Sequence, residues 1–220
     1  MRLRVATYNV HGPRRPIAVA RVIRELGADI LVVQEYAAKV LLLAVARGAG
    51  MRAVVRQPRG RPFQRNAVLV TGDFRVVRAW PVELPSTPPR EARGAMLAEL
   101  EMGRARFVVG SVHLGLKEHE RAGHARLLVD EVMRTGLPCV VGGDLNERPG
   151  APAASEMASR LADVLAGAAQ PLTYPARRPN SRIDFLFVSA GVSVAHAEVV
   201  DARRTRRASD HLPVVAEVDV

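Results

Sequence analysis

Short apolar runs separated by turn residues make up most of the chain, and their spacing changes character along it. Residues 5–9 read as a strand, followed by a Gly12-Pro13 turn. The helical spacing of Ile17, Ala20 and Ile23, with Val22 and Leu26, predicts a helix from Pro16 that stops at Gly27. Ile30-Leu-Val-Val is a continuous apolar run of strand length, the pattern of a strand buried on both faces. A second helix is predicted over residues 37–47, ended by Gly48. Residues 51–56, 66–71, 74–80, 94–101 and 104–113 then read as short strands between turn signals, the grammar of antiparallel meanders, with a Pro-rich loop over 81–89. A helix over Glu118–Met133, a buried strand from Cys139 and a helix over residues 153–165 follow. After a long loop over 171–182, strands at 183–188, 192–200 and 212–220 close the chain. This mixture predicts an α/β protein of mixed sheets with helices outside, and a two-sheet sandwich flanked by helices places every strand.

Composition adds little to that picture. At 220 residues, 48% hydrophobic and 25% charged, with no Gly/Ser linker, the chain is expected to form one domain over residues 1–220. The lone Cys139 cannot form an internal disulfide, the N-terminus shows no signal-peptide core, and the longest apolar run, residues 40–46, is far too short to span a bilayer. A cytoplasmic monomer without membrane insertion is the expectation.

The net charge of +10 invites a nucleic-acid reading, but all of the 32 Lys and Arg residues except Lys39 and Lys117 are arginine. That excess, beside abundant Ala, Gly and Pro, points to coding bias. Distribution is more informative than the total. Arg59, Arg61 and Arg65, then Arg177, Arg178 and Arg182, then Arg203, Arg204, Arg206 and Arg207 fall in three predicted loops. Each loop leads into a candidate site motif, so together they would draw in an anionic substrate.

Several apolar strands end abruptly in chemically capable residues. Asn9 and His11 follow the first strand, Gln34-Glu35 the second, and His113 ends a third. Asp144-Leu-Asn146 follows Gly142-Gly143, and Ser209-Asp210-His211 follows the last arginine loop. Polar groups at strand ends share a sheet rim, where one site can gather residues distant in sequence. Each alone has a plain alternative: a turn former for Asp144 and Asn146, a helix cap for Glu35, a satisfied half-buried ring for His113.

Taken in order, Thr7-Tyr-Asn-Val-His-Gly12, Gln34-Glu35, Ser111-Val-His-Leu114, Gly142-Gly-Asp-Leu-Asn146, Arg182-Ile-Asp-Phe185 and Ser209-Asp-His-Leu-Pro213 resemble the signature of the endonuclease/exonuclease/phosphatase superfamily. Thr173-Tyr-Pro175 resembles the Thr-aromatic-Pro segment that many members carry ahead of the Ile-Asp motif. The resemblance implies a four-layer α/β sandwich and metal-dependent cleavage of phosphate esters. His11 stands where abasic-site endonucleases carry an acidic residue, which removes a possible second carboxylate at the metal and is closer to sphingomyelinase-like and bacterial members.

These residue types suit the chemistry independently of the resemblance. A phosphate ester is anionic and repels hydroxide, so its site must neutralise charge and deliver an activated water. Glu35, assisted by Asn9 and Asp210, offers hard oxygen ligands for Mg²⁺ or Mn²⁺. Asp144 can orient and deprotonate the water while Asn146 fixes its direction. His113 and His211 can donate hydrogen bonds to phosphoryl oxygens, and Asp184 would hold His211 in one protonated form. Whether Asp144 or His211 removes the proton is left open. Asn66, His11 and Arg182 are candidates for substrate binding. His119, His124 and His196 lack metal-ligand spacing and read as structural or solvated.

The expected activity is hydrolysis of a phosphodiester, with nucleic acid among the candidate substrates. A phospholipid or small phosphomonoester is the alternative, and a basic nucleic-acid-binding protein without catalysis is a second class.

Overall fold

Residues pointing to opposite faces of each strand explain why the buried runs are apolar throughout. In the first strand Leu3 and Val5 join one core layer, while Ala6 and Tyr8 join another. Ile30 and Val32 likewise separate from Leu31 and Val33. A computed structural model shows the arrangement, describing residues 1–12, 15–56, 65–85 and 93–220.

The strands, in chain order, are β1 (Arg2–Asn9), β2 (Ile30–Gln34), β3 (Arg52–Val54), β4 (Ala67–Val70), β5 (Arg75–Leu84), β6 (Arg93–Met102), β7 (Ala105–His113), β8 (Cys139–Asp144), β9 (Ala162–Asp163), β10 (Asp184–Val188), β11 (Ser193–Val199) and β12 (Val214–Asp219). The helices are α1 (Pro16–Leu26), α2 (Lys39–Gly48), α3 (Glu118–Met133), α4 (Pro152–Ala158) and α5 (Thr205–Ala208). Two six-stranded sheets result, ordered β11-β12-β1-β2-β4-β3 and β5-β6-β7-β8-β10-β9. Each is mixed: β1 and β2 run parallel in the first sheet, as do β7 and β8 in the second. Helices α1 and α3 make those two crossovers, and the other pairings are antiparallel.

Three apolar layers separate the elements. The central one packs Val5, Val32 and Val214 of the first sheet against Val109, Val140 and Leu186 of the second. Val19, Ile23, Leu42 and Val45 of α1 and α2 cover the outer face of the first sheet. Leu128, Val132, Ala153 and Met157 of α3 and α4 cover the second. The expected four-layer α/β sandwich is what this chain forms. No helix among the described residues is long and apolar enough to cross a membrane.

Three elements differ from expectation, the smallest being α5, a single helical turn in the stretch expected to be an arginine-rich loop. The helix expected over 153–165 stops at Ala158, and Ala162–Asp163 instead pair with β10. There the Val164 N–H donates to Leu186 O, and Asp163 caps the Leu165 N–H, so tertiary pairing overrides the local alanine preference. Strand β5 continues through Pro81 to Leu84, into the stretch expected to be a loop. Proline is tolerated because β5 lies at a sheet edge, where one side of the strand needs no donor.

Under the rim, a polar seam joins the sheets. Ser111 Oγ donates to Val33 O at 2.8 Å and accepts from Gln34 Nε2 at 3.0 Å, while Thr7 Oγ1 donates to Gln34 Oε1 at 3.3 Å. Next to it the chain requires glycine. Gly143 has φ 155°, and a Cβ there would lie 1.8 Å from Val112 O, a backbone atom that cannot swing away. Gly143→Ala is therefore expected to cost at least ~3 kcal/mol, seen as a lower denaturation midpoint; an unchanged midpoint would contradict the steric argument.

Candidate active site

Strand register sets one row of side chains at the rim. Asn9 pairs with Gln34 across β1 and β2, and Asp144 pairs with both His113 of β7 and Asp184 of β10. The segment before β12 adds Asp210 and His211. Three rim residues, His11 (φ 47°), Glu35 (φ 55°) and Asn146 (φ 52°), have left-handed backbone, uncommon for residues other than glycine. Each follows a strand end, where the sharp turn redirects the chain. Such strain is concentrated where a site over-determines the backbone.

Asp144, 2% exposed, is the hub. Its Oδ2 accepts from Asn9 Nδ2 at 3.0 Å and lies 3.5 Å from His113 Nε2 and 3.7 Å from His211 Nε2. Its Oδ1 accepts the Asn146 N–H at 2.8 Å. Asn9 Nδ2 also donates to Glu35 Oε1 at 3.1 Å, and Asn9 Oδ1 accepts the His11 N–H at 3.0 Å. In this arrangement Asn9 holds the two carboxylates together. Burial raises the Asp144 pKa, opposed by His113 and His211 and reinforced by Asp184.

The two imidazoles are driven apart. His211 Nδ1 lies 2.9 and 3.1 Å from the two Asp184 oxygens. Burial would lower its pKa, but Asp184, then Asp144 and Asp210, outweigh burial and hold it at about 10. His113 goes the other way: burial, opposed by Asp144 and reinforced by Arg93 and His211, lowers it to about 4. At neutral pH His211 is charged and His113 is not.

Other candidates take different places. His11 Nδ1 bridges Asp210 at 3.4 Å and Glu35 at 3.7 Å. Asn146 Nδ2 donates to Leu114 O at 2.9 Å and sits 3.1 Å from His113 Nε2, so it steadies that ring. Asn66 donates to Gly94 O at 2.7 Å, and Gly94 pairs with His113, which makes Asn66 a support one strand removed. Arg182 stands apart. It is 5% exposed, ion-paired with Asp163 and stacked over Phe185 at 4.4 Å, so its guanidinium is engaged within the scaffold. Of the further histidines, His124 is buried on Pro85 O, while His119 and His196 are exposed.

Several neighbours were given no role from sequence. Arg93 Nη1 lies 2.8 and 2.9 Å from the two His113 ring nitrogens. Tyr174 packs on His211 with centroids 4.8 Å apart. Thr173 Oγ1 accepts from the N–H groups of Ile183 and Asp184, and Thr173 O accepts from Leu212, so this segment ties Asp184 to His211. The Thr-Tyr-Pro spacing was the available signal; for Arg93 none existed. Of the arginine loops, Arg59 and Arg61 lie outside the described residues, and Arg204 and Arg206 are ion-paired with Glu25 and Asp201.

The donor set suits a divalent cation. Glu35, His113 and Asp144 present ligand atoms within 4.8 Å of one another. Among the described residues, Glu35, Asp144, Asp184 and Asp210 make ion-pair contacts with histidines alone. Four carboxylates gathered at one rim offer hard oxygen donors and negative charge for a cation to neutralise.

Comparison with known proteins agrees with the geometry. Residues 6–211 match the model of the endonuclease/exonuclease/phosphatase family. A member of that family from Bacteroides thetaiotaomicron superposes with a TM-score of 0.86 at 20% identity, covering 100% of this chain and 99% of that one. A mannosyl-6-phosphatase of the same species gives a TM-score of 0.86 at 20% identity over 99% and 100% of the two chains. The human Nocturnin catalytic domain, solved with a bound sulfate anion, gives 0.80 at 18% identity over 99% and 94%. No curated protein sequence matches the chain.

Proposed function

The chain belongs to the endonuclease/exonuclease/phosphatase family, and on that premise we propose that it is a metal-dependent hydrolase of phosphate esters, acting as a phosphodiesterase of nuclease type. The observation that carries this is the buried Asp144, joined to Asn9 and Asn146 and flanked by His113 and His211. Glu35 would anchor Mg²⁺ or Mn²⁺, with Asn9 and Asp210 beside it. When bound, the cation supplies charge neutralisation at the phosphate oxygens.

The remaining work falls to the side chains. His211, kept protonated by Asp184, donates a hydrogen bond to a phosphoryl oxygen as charge builds there. A ring already charged is a poor proton acceptor, so Asp144 takes the proton from the attacking water, its basicity increased by burial. Asn146 keeps His113 and the Asp144 loop in place, and neutral His113 holds one proton to share with substrate.

The test is hydrolysis of plasmid DNA, RNA, a chromogenic phosphodiester and sphingomyelin with Mg²⁺, Mn²⁺ or EDTA. Diester cleavage is expected that EDTA abolishes and added metal restores. Turnover indifferent to chelation would overturn the mechanism, and activity confined to monoesters would overturn the choice of phosphodiester.

A further inference from the structure

Beside the rim opens a pocket of about 340 Å³ that the chemistry above does not use. Arg15, Arg177, Arg206 and Arg207 line it, and His11 and Asp210 form its border with the site. A second cavity of about 530 Å³ continues along Arg177, Arg206 and Arg207 to Arg203. Three segments distant in sequence deliver these arginines: the residue before α1, the loop after Tyr174, and α5 with its approach. Arg15 Nη1 donates to Arg207 O at 3.0 Å, and the Ala176 N–H donates to Asp210 O at 2.6 Å, so the wall is fastened to the site.

Charge in this groove is poorly compensated. Arg206 is paired with Asp201, whereas Arg177, Arg203 and Arg207 have no ion-pair partner among the described residues. Gathering like charges without counter-charges is unfavourable unless an anion occupies the space between them. No Phe, Tyr or Trp lines either cavity among the described residues, and the one imidazole, His11 at the border, is engaged with Asp210 and Glu35, so recognition there would be of charge and not of stacked bases. A lone phosphate needs one such pocket. Two contiguous cavities sharing three arginines suit phosphates that repeat along a chain.

We propose that this groove seats the phosphates flanking the scissile one, so that the substrate is a nucleic-acid strand held by its backbone. The proposal rests on the phosphoesterase reading of the adjoining rim. It is tested by fluorescence anisotropy of a labelled thymidine decamer on the whole chain in EDTA, where turnover is off. Arg177→Ala with Arg207→Ala is expected to weaken binding at least about tenfold and to lower the slope of log affinity against log salt by about 1.4. Lysine at both positions should restore most of the slope. Arg134→Ala with Arg160→Ala removes the same charge just beyond the C-terminal ends of α3 and α4, where these arginines pair with Glu131 and Asp130, and should change little.

Equal losses in both double variants, or an unaltered salt slope, would overturn the groove. So would a mononucleotide competing as tightly as the decamer. The two readings fail separately. Arginine-dependent binding by a wild-type protein that cleaves no diester would sink the enzyme assignment and keep the groove; cleavage with arginine-indifferent binding would do the reverse.

Discussion

Replacing Asp144 by Asn is expected to lower kcat/KM on a phosphodiester by ~10²-fold or more, while the folded state stands at least as firmly as before. The substitution keeps the shape: an amide oxygen can still accept the Asn146 N–H now held at 2.8 Å, and the one mismatch, the new amide nitrogen against Asn9 Nδ2, costs less than the buried charge it replaces. What it removes is the proton acceptor and the negative charge facing His113 and His211. The stability sign follows from the direction of the Asp144 shift. Its folded pKa is raised above the ordinary 3.8, so its contribution is favourable below that value and is lost as pH rises. At neutral pH the buried charge is a cost, and the amide relieves it. Initial rates with Mg²⁺ and thermal denaturation in EDTA test both halves. Full activity would remove Asp144 from the chemistry, and a lower melting temperature would assign the loss to folding.

That combination, activity lost and stability kept, would mark a site built against the preferences of its surroundings. The same conflict appears in the left-handed backbone of His11, Glu35 and Asn146. It also explains why the residues that the fold gathers at this rim were legible in sequence. Asn9, His113 and Asp144 end apolar strands, Glu35 follows one and His211 precedes one, and a polar residue at the end of a buried run needs a reason. The strands themselves were legible because both faces of each sheet are covered, which leaves continuous apolar runs.

What sequence did not disclose depends on partners far along the chain. Arg182 invited a substrate-binding reading by its place beside Ile183-Asp184, yet its counter-charge is Asp163, 19 residues earlier. The Ala-rich stretch after Pro152 favours helix locally, and only the edge of β10 recruits its end as a strand. Arg93 reaches His113 because the pairing of β6 with β7 sets its neighbour Gly94 opposite His113 at the strand ends, which brings together residues 20 positions apart. Gln34 read as half of a Gln-Glu motif, but its amide spans the sheets to Ser111, 77 residues away. Local pattern specifies which residues are buried; pairing decides what they meet.

The second large effect is expected at His211, where the ring and its charge can be separated. His211→Ala removes both and should lower kcat by ~10²-fold or more. Asp184→Asn keeps the ring and removes the counter-charge that lies 2.9 Å from Nδ1. Burial is the largest influence on this imidazole and acts downward, so without Asp184 its pKa should fall from about 10 toward or below the ordinary 6.5. The wild-type folded pKa is raised, so the stability it contributes is fully present below 6.5 and is lost as pH rises through about 10. In Asp184→Asn that contribution should vanish from neutral pH, and activity that depends on a charged His211 should decline there while the wild type retains it. NMR titration of the imidazole in EDTA gives the pKa, and kcat against pH gives its consequence. A variant whose ring titrates as in the wild type would show that Asp184 does not govern the charge. One that titrates lower but keeps its full rate at neutral pH would show that the charge on His211 is not what the reaction uses.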